Sequence, residues 1–392
     1  MKTLLQACIG LAMSIYGNLA AADELSDANR FFDYAESAYA KYFSPAGQET
    51  VPYKNYLVRY YPGTNTYLGV LAGGVYVYSK ALGEGIMYVG DIFNFISPED
   101  DAPANGGIID LTDLILTDRS GNCADYAGDY IASVSDVSRS LSFDGNLTIS
   151  VDNGLCTFSS NNIPNHDMGE GGSFATPVSA VSNNYQVPAN PQFAATPSQL
   201  TLEWDNAVLL NGVKVDIFAA ACFGVADEKI GCNDINQPWR FDPMSPKNNF
   251  GTDTHNAHTQ PNGAYHYHGN PRALFDFDMA VESPVVGFAA DGFPIFGSYF
   301  DDNGVVRQAE SSYRLKVGGR PSGSGNPGGQ YDGTYRDDYE YVEGAGDLDE
   351  CNGMTVDGVY GYYIINEFPW LLNCFSGTPN TSFRKSGGGP PP

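Results

Sequence analysis

Residues 254–269 read Thr-His-Asn-Ala-His-Thr-Gln-Pro-Asn-Gly-Ala-Tyr-His-Tyr-His-Gly and hold four of the chain's five histidines. Side chains alternate between the two faces of a strand, so the two histidines of 265–268 point to one face and the two tyrosines to the other. Pro261-Asn262-Gly263 has the composition of a turn, which can fold the preceding segment back against this strand. The stretch therefore predicts a β-hairpin on which His258 approaches the other two histidines.

Imidazoles that converge in this way are typical of a transition-metal site. Neutral imidazole suits copper, zinc, iron and nickel, and copper stands highest in the divalent affinity order, so we expect copper rather than zinc. His258 ranks above His255, because residues three apart on a loop need not share a face. Asp253 is a further carboxylate that can ligate a metal or orient an imidazole. The predicted metal ligands are His166, His258, His266, His268 and Asp291.

Other interpretations of these residues stay open. The histidines can be hydrogen-bonded core residues or part of an exposed polar turn, and Asp291 in Asp-Gly-Phe-Pro-Ile-Phe-Gly can simply form a turn. Three functions follow from these alternatives. They are an exported metal-binding protein, a metal-dependent extracytoplasmic hydrolase or oxidase with an open ligand position, and an adhesion or structural protein.

The amino terminus predicts export. Lys2 precedes the mostly apolar stretch 4–20, and Ala20-Ala21-Ala22 provides small residues for cleavage, so residues 1–22 are expected to be a signal peptide that is removed. The stretch is short for a membrane span, and no later segment is long and apolar enough. A periplasmic or extracellular location is therefore expected, without an integral membrane segment.

Six cysteines follow the predicted signal, and an oxidising compartment favours disulfides among them. Fifteen pairings are possible in principle. Proximity along the chain favours three local pairs, which are Cys123–Cys156, Cys222–Cys232 and Cys351–Cys374.

Composition narrows the fold and the partners. The chain has 46 Asp plus Glu against 20 Lys plus Arg, a balance that repels phosphate backbones and makes nucleic acid an unexpected partner. Its 26 Tyr, 22 Phe, 45 Gly and 24 Pro favour strands joined by turns. Within residues 141–158, Asp144-Gly145 and Asn153-Gly154 have the composition of hairpin turns. No phosphate loop, dinucleotide fingerprint or Gly-x-Ser-x-Gly motif occurs.

The expected fold is mainly β, with a small α+β module at the amino terminus. A helix is predicted over 25–42, followed by strands at Tyr56–Tyr61, Thr66–Val70 and Val75–Tyr78. This module resembles a small module of secreted bacterial proteins, on segments such as Arg59-Tyr-Tyr-Pro and Thr66-Tyr-Leu-Gly-Val, and attachment or display is its expected role. The predicted division is 1–22 signal, 25–97 module, 98–118 linker, 119–378 main domain and 379–392 disordered tail.

The main domain resembles the YHYH-domain family, which is named for a run that stands here as Tyr265-His-Tyr-His-Gly. The other matching segments are Ser159–His166, Asp205–Val213, Trp239–Pro243, Val286–Gly297 and Leu348–Gly353. The resemblance covers residues 120–378 or so. It implies an exported, largely β domain of unsettled biochemical activity that is suspected of metal binding. The expected domain is disulfide-stabilised and β-sandwich-like.

Two departures from the family pattern concern the site. Glu282-Ser-Pro stands where the family often has His-Ser-Pro, so a ligand there would become a carboxylate, or the role is lost. Asp357-Gly-Val-Tyr-Gly-Tyr-Tyr363 is an internal echo of Asn262-Gly-Ala-Tyr-His-Tyr-His268 in which both histidines are gone. A second imidazole site is therefore not expected.

Overall fold

The computed structural model describes residues 31–32, 35, 43, 49–53, 56–62, 66–71, 74–79, 86–91, 108–275 and 281–385. The chain divides into two compact units, residues 1–105 and 106–392. The described residues form a mainly β protein whose helical segments are short. The predicted signal peptide lies outside the described residues.

The first unit contains a five-stranded antiparallel meander. Its strands are β1 Glu49–Tyr53, β2 Tyr56–Tyr61, β3 Thr66–Leu71, β4 Gly74–Ser79 and β5 Ile86–Asp91, in that order across the sheet. The three predicted strands are thus confirmed. The sequence interpretation missed β1 and β5. β1 contains Pro52, a residue that disfavours central strands but is tolerated at the sheet edge where β1 lies. Phe31, Phe32 and Ala35 are helical and buried, and the rest of the predicted helix lies outside the described residues.

The second unit begins with another five-stranded sheet. Its strands are β6 Ile108–Asp110, β7 Gly128–Asp136, β8 Leu141–Asp152, β9 Leu155–Ser160 and β10 Asn183–Pro188, in the order β10-β9-β8-β7-β6. Asn153-Gly154 forms the predicted turn, but Asp144-Gly145 lies inside β8. A Cβ on Gly145 would come within 3.0 Å of the Ile163 carbonyl oxygen, so this glycine permits a close approach of two backbones.

An eight-stranded sheet forms the centre of the second unit. Its strands are β12 Ala207–Leu209, β13 Lys214–Val215, β14 Ala257–Thr259, β15 Tyr265–Tyr267, β16 Val285–Ala289, β17 Pro294–Phe296, β24 Gly353–Val356 and β25 Val359–Tyr363. They are arranged in the order β14-β15-β13-β12-β16-β17-β25-β24. Most of their side chains are buried, in one continuous core.

The remaining strands form two-stranded ribbons. These are β11 Phe193–Gln199 with β26 Cys374–Gly377, β18 Tyr299–Asp301 with β19 Val306–Gln308, β20 Tyr313–Leu315 with β23 Tyr339–Tyr341, and β21 Ser322–Gly323 with β22 Asn326–Pro327. Short 3-10 helices span Cys123–Tyr126, Arg336–Asp338 and Thr381–Phe383.

The three predicted disulfides are all present, namely Cys123–Cys156, Cys222–Cys232 and Cys351–Cys374. Residues on both sides of the predicted main domain take part in its structure. Ile108–Asp110 pairs with β7 inside the expected linker. Phe383 lies inside the expected tail, yet it is fully buried and stacks on Tyr185 at 4.4 Å between ring centroids, so aromatic packing orders the chain up to that point.

The eight-stranded sheet consists of two halves with the same strand topology, related by an approximate two-fold axis. At its centre β12 and β16 pair antiparallel about Val208 and Phe288, which lie opposite each other. In each half the central strand forms a short hairpin with the strand that follows it, β12 with β13 and β16 with β17. The second strand of each hairpin then pairs in parallel with a further strand, β13 with β15 and β17 with β25. An antiparallel strand completes each half, β14 in the first and β24 in the second. The echo noted in the sequence is therefore a structural duplication.

The two halves also have the same pattern of hydrogen bonds. Asp253 accepts the Tyr265 hydroxyl at 2.8 Å and two backbone amides of its own turn. Asp349 accepts the Tyr360 hydroxyl at 2.9 Å and two amides in the same pattern. Because both halves keep this arrangement, we interpret it as the scaffold of the hairpin.

Gly212 turns the β12–β13 hairpin with a φ of 79°, and a Cβ there would lie 2.8 Å from the Ser160 Cβ. Gly154 has a similar φ of 75° but open space around it. Gly154→Ala should therefore cost about 1 kcal/mol from backbone strain alone. Gly212→Ala should cost a further ~1–3 kcal/mol because the methyl group overpacks the turn.

Urea unfolding followed by tryptophan fluorescence measures the free energy of unfolding of both variants. The signal reports on the second unit, since it contains Trp204, Trp239 and Trp370. Equal losses of unfolding free energy in the two variants would contradict the packing argument.

Candidate metal centre

Three histidines converge on one face of the eight-stranded sheet. His258 on β14 lies directly opposite His266 on β15, and His268 follows two residues later on the same face. One ring nitrogen from each lies within 4.8 Å of the others. His266 and His268 are 3% and 2% exposed, and His258 is half-buried. We call these three residues the triad.

Backbone carbonyls orient two of the rings. The His258 Nδ1 lies 2.6 Å from the Phe250 carbonyl oxygen, and the His268 Nδ1 lies 3.3 Å from that of Ile217. A carbonyl only accepts, so in each ring Nδ1 carries the proton and donates it, which leaves the lone pair on Nε2. The two Nε2 atoms lie 3.0 Å apart. Two lone pairs that face each other at this distance are suited to sharing a cation.

Protonation is disfavoured at the triad. Burial lowers the pKa of His268 to about 3, and the neighbouring His258 ring contributes to the shift. Burial also lowers the pKa of His266 well below its ordinary value, and lowers that of His258. All three rings are therefore neutral near pH 7, which is the state that ligates a metal.

A buried charge network adjoins the triad, and the sequence interpretation missed it. Asp216 accepts from the Lys385 ammonium at 2.6 Å and from the Gln260 amide at 2.9 Å. Asp205 accepts from Lys214 at 3.0 Å. Burial acts to raise the pKa of Asp216, but Lys385 and Lys214 together lower it, so its carboxylate is charged. The one sequence signal was Lys214-Val-Asp216, which places two charges at alternate positions of an apolar strand.

His166 lies on the opposite face from the triad. Its Nδ1 donates to the Asp167 carbonyl oxygen at 2.7 Å, and its Nε2 accepts from the Tyr267 hydroxyl at 2.6 Å. Tyr267 lies between His266 and His268, so strand alternation separates His166 from the triad. The ring of His255 packs on that of His166, with centroids 3.9 Å apart. The structure therefore brings neither residue to the other three histidines.

Asp291 also lies away from the triad, in the second half of the sheet. It accepts the Tyr362 hydroxyl at 2.6 Å and the Gly377 amide at 2.9 Å. Its position matches that of Asn211, which donates to the Tyr267 hydroxyl at 3.0 Å in the first half. Glu282, where the family pattern often has histidine, pairs with Arg119 at 2.7 Å. Among the described residues, the group of His, Cys, Asp and Glu suited to a metal contains the triad alone.

Comparison with protein families shows a similarity to a known family. The family described as YHYH protein matches residues 184–377, a range that includes both halves of the eight-stranded sheet and the whole triad. The match begins after the amino-terminal module and after the segment Ser159–His166. The resemblances of these two parts of the chain to known families therefore stay predictions. No curated protein and no solved structure gave a significant match. No helix among the described residues is long and apolar enough to span a bilayer.

The buried histidines make stability depend on pH. Because folding lowers the pKa of His268 to about 3, the unfolded chain binds more protons below about pH 6.5. The free energy of unfolding of the metal-free protein should therefore fall as the pH drops from about 6.5 towards 4.5, by up to ~1.4 kcal/mol per pH unit for each such histidine.

Urea midpoints at several pH values, measured with a chelator present, test this dependence against His268→Gln. Glutamine does not titrate, so the slope for the variant should be shallower whatever its stability at pH 7. Identical slopes for the two proteins would contradict a buried neutral His268.

Proposed function

We propose that this protein is an exported metal-binding protein that holds one copper ion through His258, His266 and His268. The observation that carries the proposal is the pair of Nε2 atoms 3.0 Å apart, in two rings whose Nδ1 atoms lie within hydrogen-bond distance of backbone carbonyl oxygens. Such outer contacts are typical of metal-ligating histidines. The three disulfides support an oxidising location outside the cytoplasm.

The donor set favours copper over zinc. Three neutral nitrogens suit copper, whereas zinc in structural sites takes four ligands. The charged residues beside the triad, Asp205, Lys214, Asp216 and Lys385, are already paired with each other. Because these charges are paired, none of them is left to act as a general acid or base beside the metal. We therefore infer that the site captures or buffers copper. We also infer that the chain is a member of the YHYH family.

Metal analysis of the full, exported protein tests the proposal. The wild type, purified from cells supplied with equal copper and zinc, should contain close to one copper per chain. The double variant His266→Ala/His268→Ala should lose it, because a single remaining imidazole binds weakly. His255→Ala is the matched control, since it removes a histidine of the same segment on the other side of the hairpin and should retain the metal.

Two outcomes would contradict the proposal. One is equal metal content in the wild type and the double variant. The other is stoichiometric zinc without copper, which would leave a histidine site but refute the choice of metal.

A further inference from the structure

The two halves of the eight-stranded sheet provide an internal comparison of the face that carries the triad. The pairing registers match His258 with Met354, His266 with Gly361 and His268 with Tyr363. The same registers match Lys214 with Pro294 and Asp216 with Phe296. This face is therefore polar and charged in the first half, and apolar in the second.

The second half shows what fills the face when no site is needed. The Phe296 ring stacks on Tyr363, with centroids 5.3 Å apart and planes at 21°. It lies 2.5 Å from where a Cβ on Gly361 would stand, so the glycine makes room for the ring. Hydrocarbon thus packs the space that the triad and Asp216 occupy in the other half.

The first half instead holds four charges at this level of the sheet, of which three are buried, while the Lys385 side chain is 26% exposed. Lys214 is 6% exposed, and Asp205 and Asp216 are 5% exposed each. Buried ion pairs are often no more stabilising than the hydrophobic packing that could replace them. Because the second half demonstrates such packing on the same scaffold, stability alone does not account for the charges in the first half.

Contacts connect the network to both strands of the triad. Gln260, whose amide donates to Asp216, directly follows β14, the strand of His258. The Asp216 backbone amide donates to the Tyr267 carbonyl oxygen at 3.0 Å, on the strand between His266 and His268.

We propose that Asp205, Lys214, Asp216 and Lys385 form an outer shell of positioning residues that sets the charge of the metal centre. Two carboxylates and two ammonium groups sum to zero beside three neutral imidazoles. A singly charged ion then adds the least uncompensated charge, so the site selects copper(I) over doubly charged ions. This inference rests on the proposed metal-binding function.

A series of charge variants in the full, exported protein tests the proposal. Asp216→Asn raises the charge of the network by one, and Lys385→Met lowers it by one. Affinities are measured for copper(I) under nitrogen against a chromophoric chelator, and for zinc(II) in the same way. Asp216→Asn should weaken copper(I) binding about tenfold or more, and Lys385→Met should strengthen it. The fold-change for zinc(II) should be about the square of that for copper(I), because the Coulomb energy scales with the charge of the ion.

Arg384→Met is the matched control. It removes one positive charge from the residue next to Lys385, but Arg384 and its partner Glu203 are 64% and 68% exposed, so water screens the change and both affinities should be unchanged. Urea midpoints of the metal-free variants verify folding. If Asp216→Asn does not fold, Asp205→Asn applies the same change of charge from the other carboxylate.

The outcomes separate this inference from the proposed function. If the wild type binds neither metal, the proposed function fails. If the wild type binds copper but the two charge variants match it, or both weaken binding alike, the charge-setting shell is refuted and the network is structural only.

Discussion

The register of β14 against β15 is the constraint on which the candidate site depends. His258 lies opposite His266 only in this register, and a slip of one residue would turn the histidines to the face of Tyr265 and Tyr267. Asp253 holds the register from one end, through its own turn and the Tyr265 hydroxyl. Gly263 holds it from the other, with a φ of 84° and Ser179 packed where a side chain would be.

The duplication shows how one scaffold can serve two purposes. In both halves an aspartate accepts a hydrogen bond from a tyrosine hydroxyl. In both, a glycine with positive φ forms the turn of the central hairpin, Gly212 between β12 and β13 and Gly292 between β16 and β17. The difference lies in the side chains of a single face. A face filled by Phe296 and Tyr363 stabilises the sheet through apolar packing, whereas a face filled by histidines and paired charges forgoes some of that packing for a polar centre.

The position of Lys385 connects the end of the described chain to the centre of the domain. Its ammonium reaches Asp216, which lies 169 residues earlier, and Phe383 beside it is fully buried. Within the predicted tail 379–392, Lys385 therefore completes the charge network. Removal of one charged partner from such a buried network is costly, because the other is left uncompensated.

The sequence by itself determined the parts of this protein that depend on short separations. Strand alternation and a Pro-Asn-Gly turn were enough to predict the hairpin and the convergence of His258, His266 and His268, because the three residues lie within eleven positions of each other. Proximity likewise predicted the three disulfides.

Only the tertiary structure decided which distant groups join or leave the site. His166 and Asp291 carry suitable ligand atoms, but one lies behind the strand and the other lies in the opposite half of the sheet. Asp216 and Lys385 had no local signal of partnership, since their contact spans 169 residues and forms where Arg384 pairs with Trp204 and the Lys385 amide donates to the Glu203 carbonyl oxygen. Periodicity records which face a side chain occupies, but not which remote segment folds against that face.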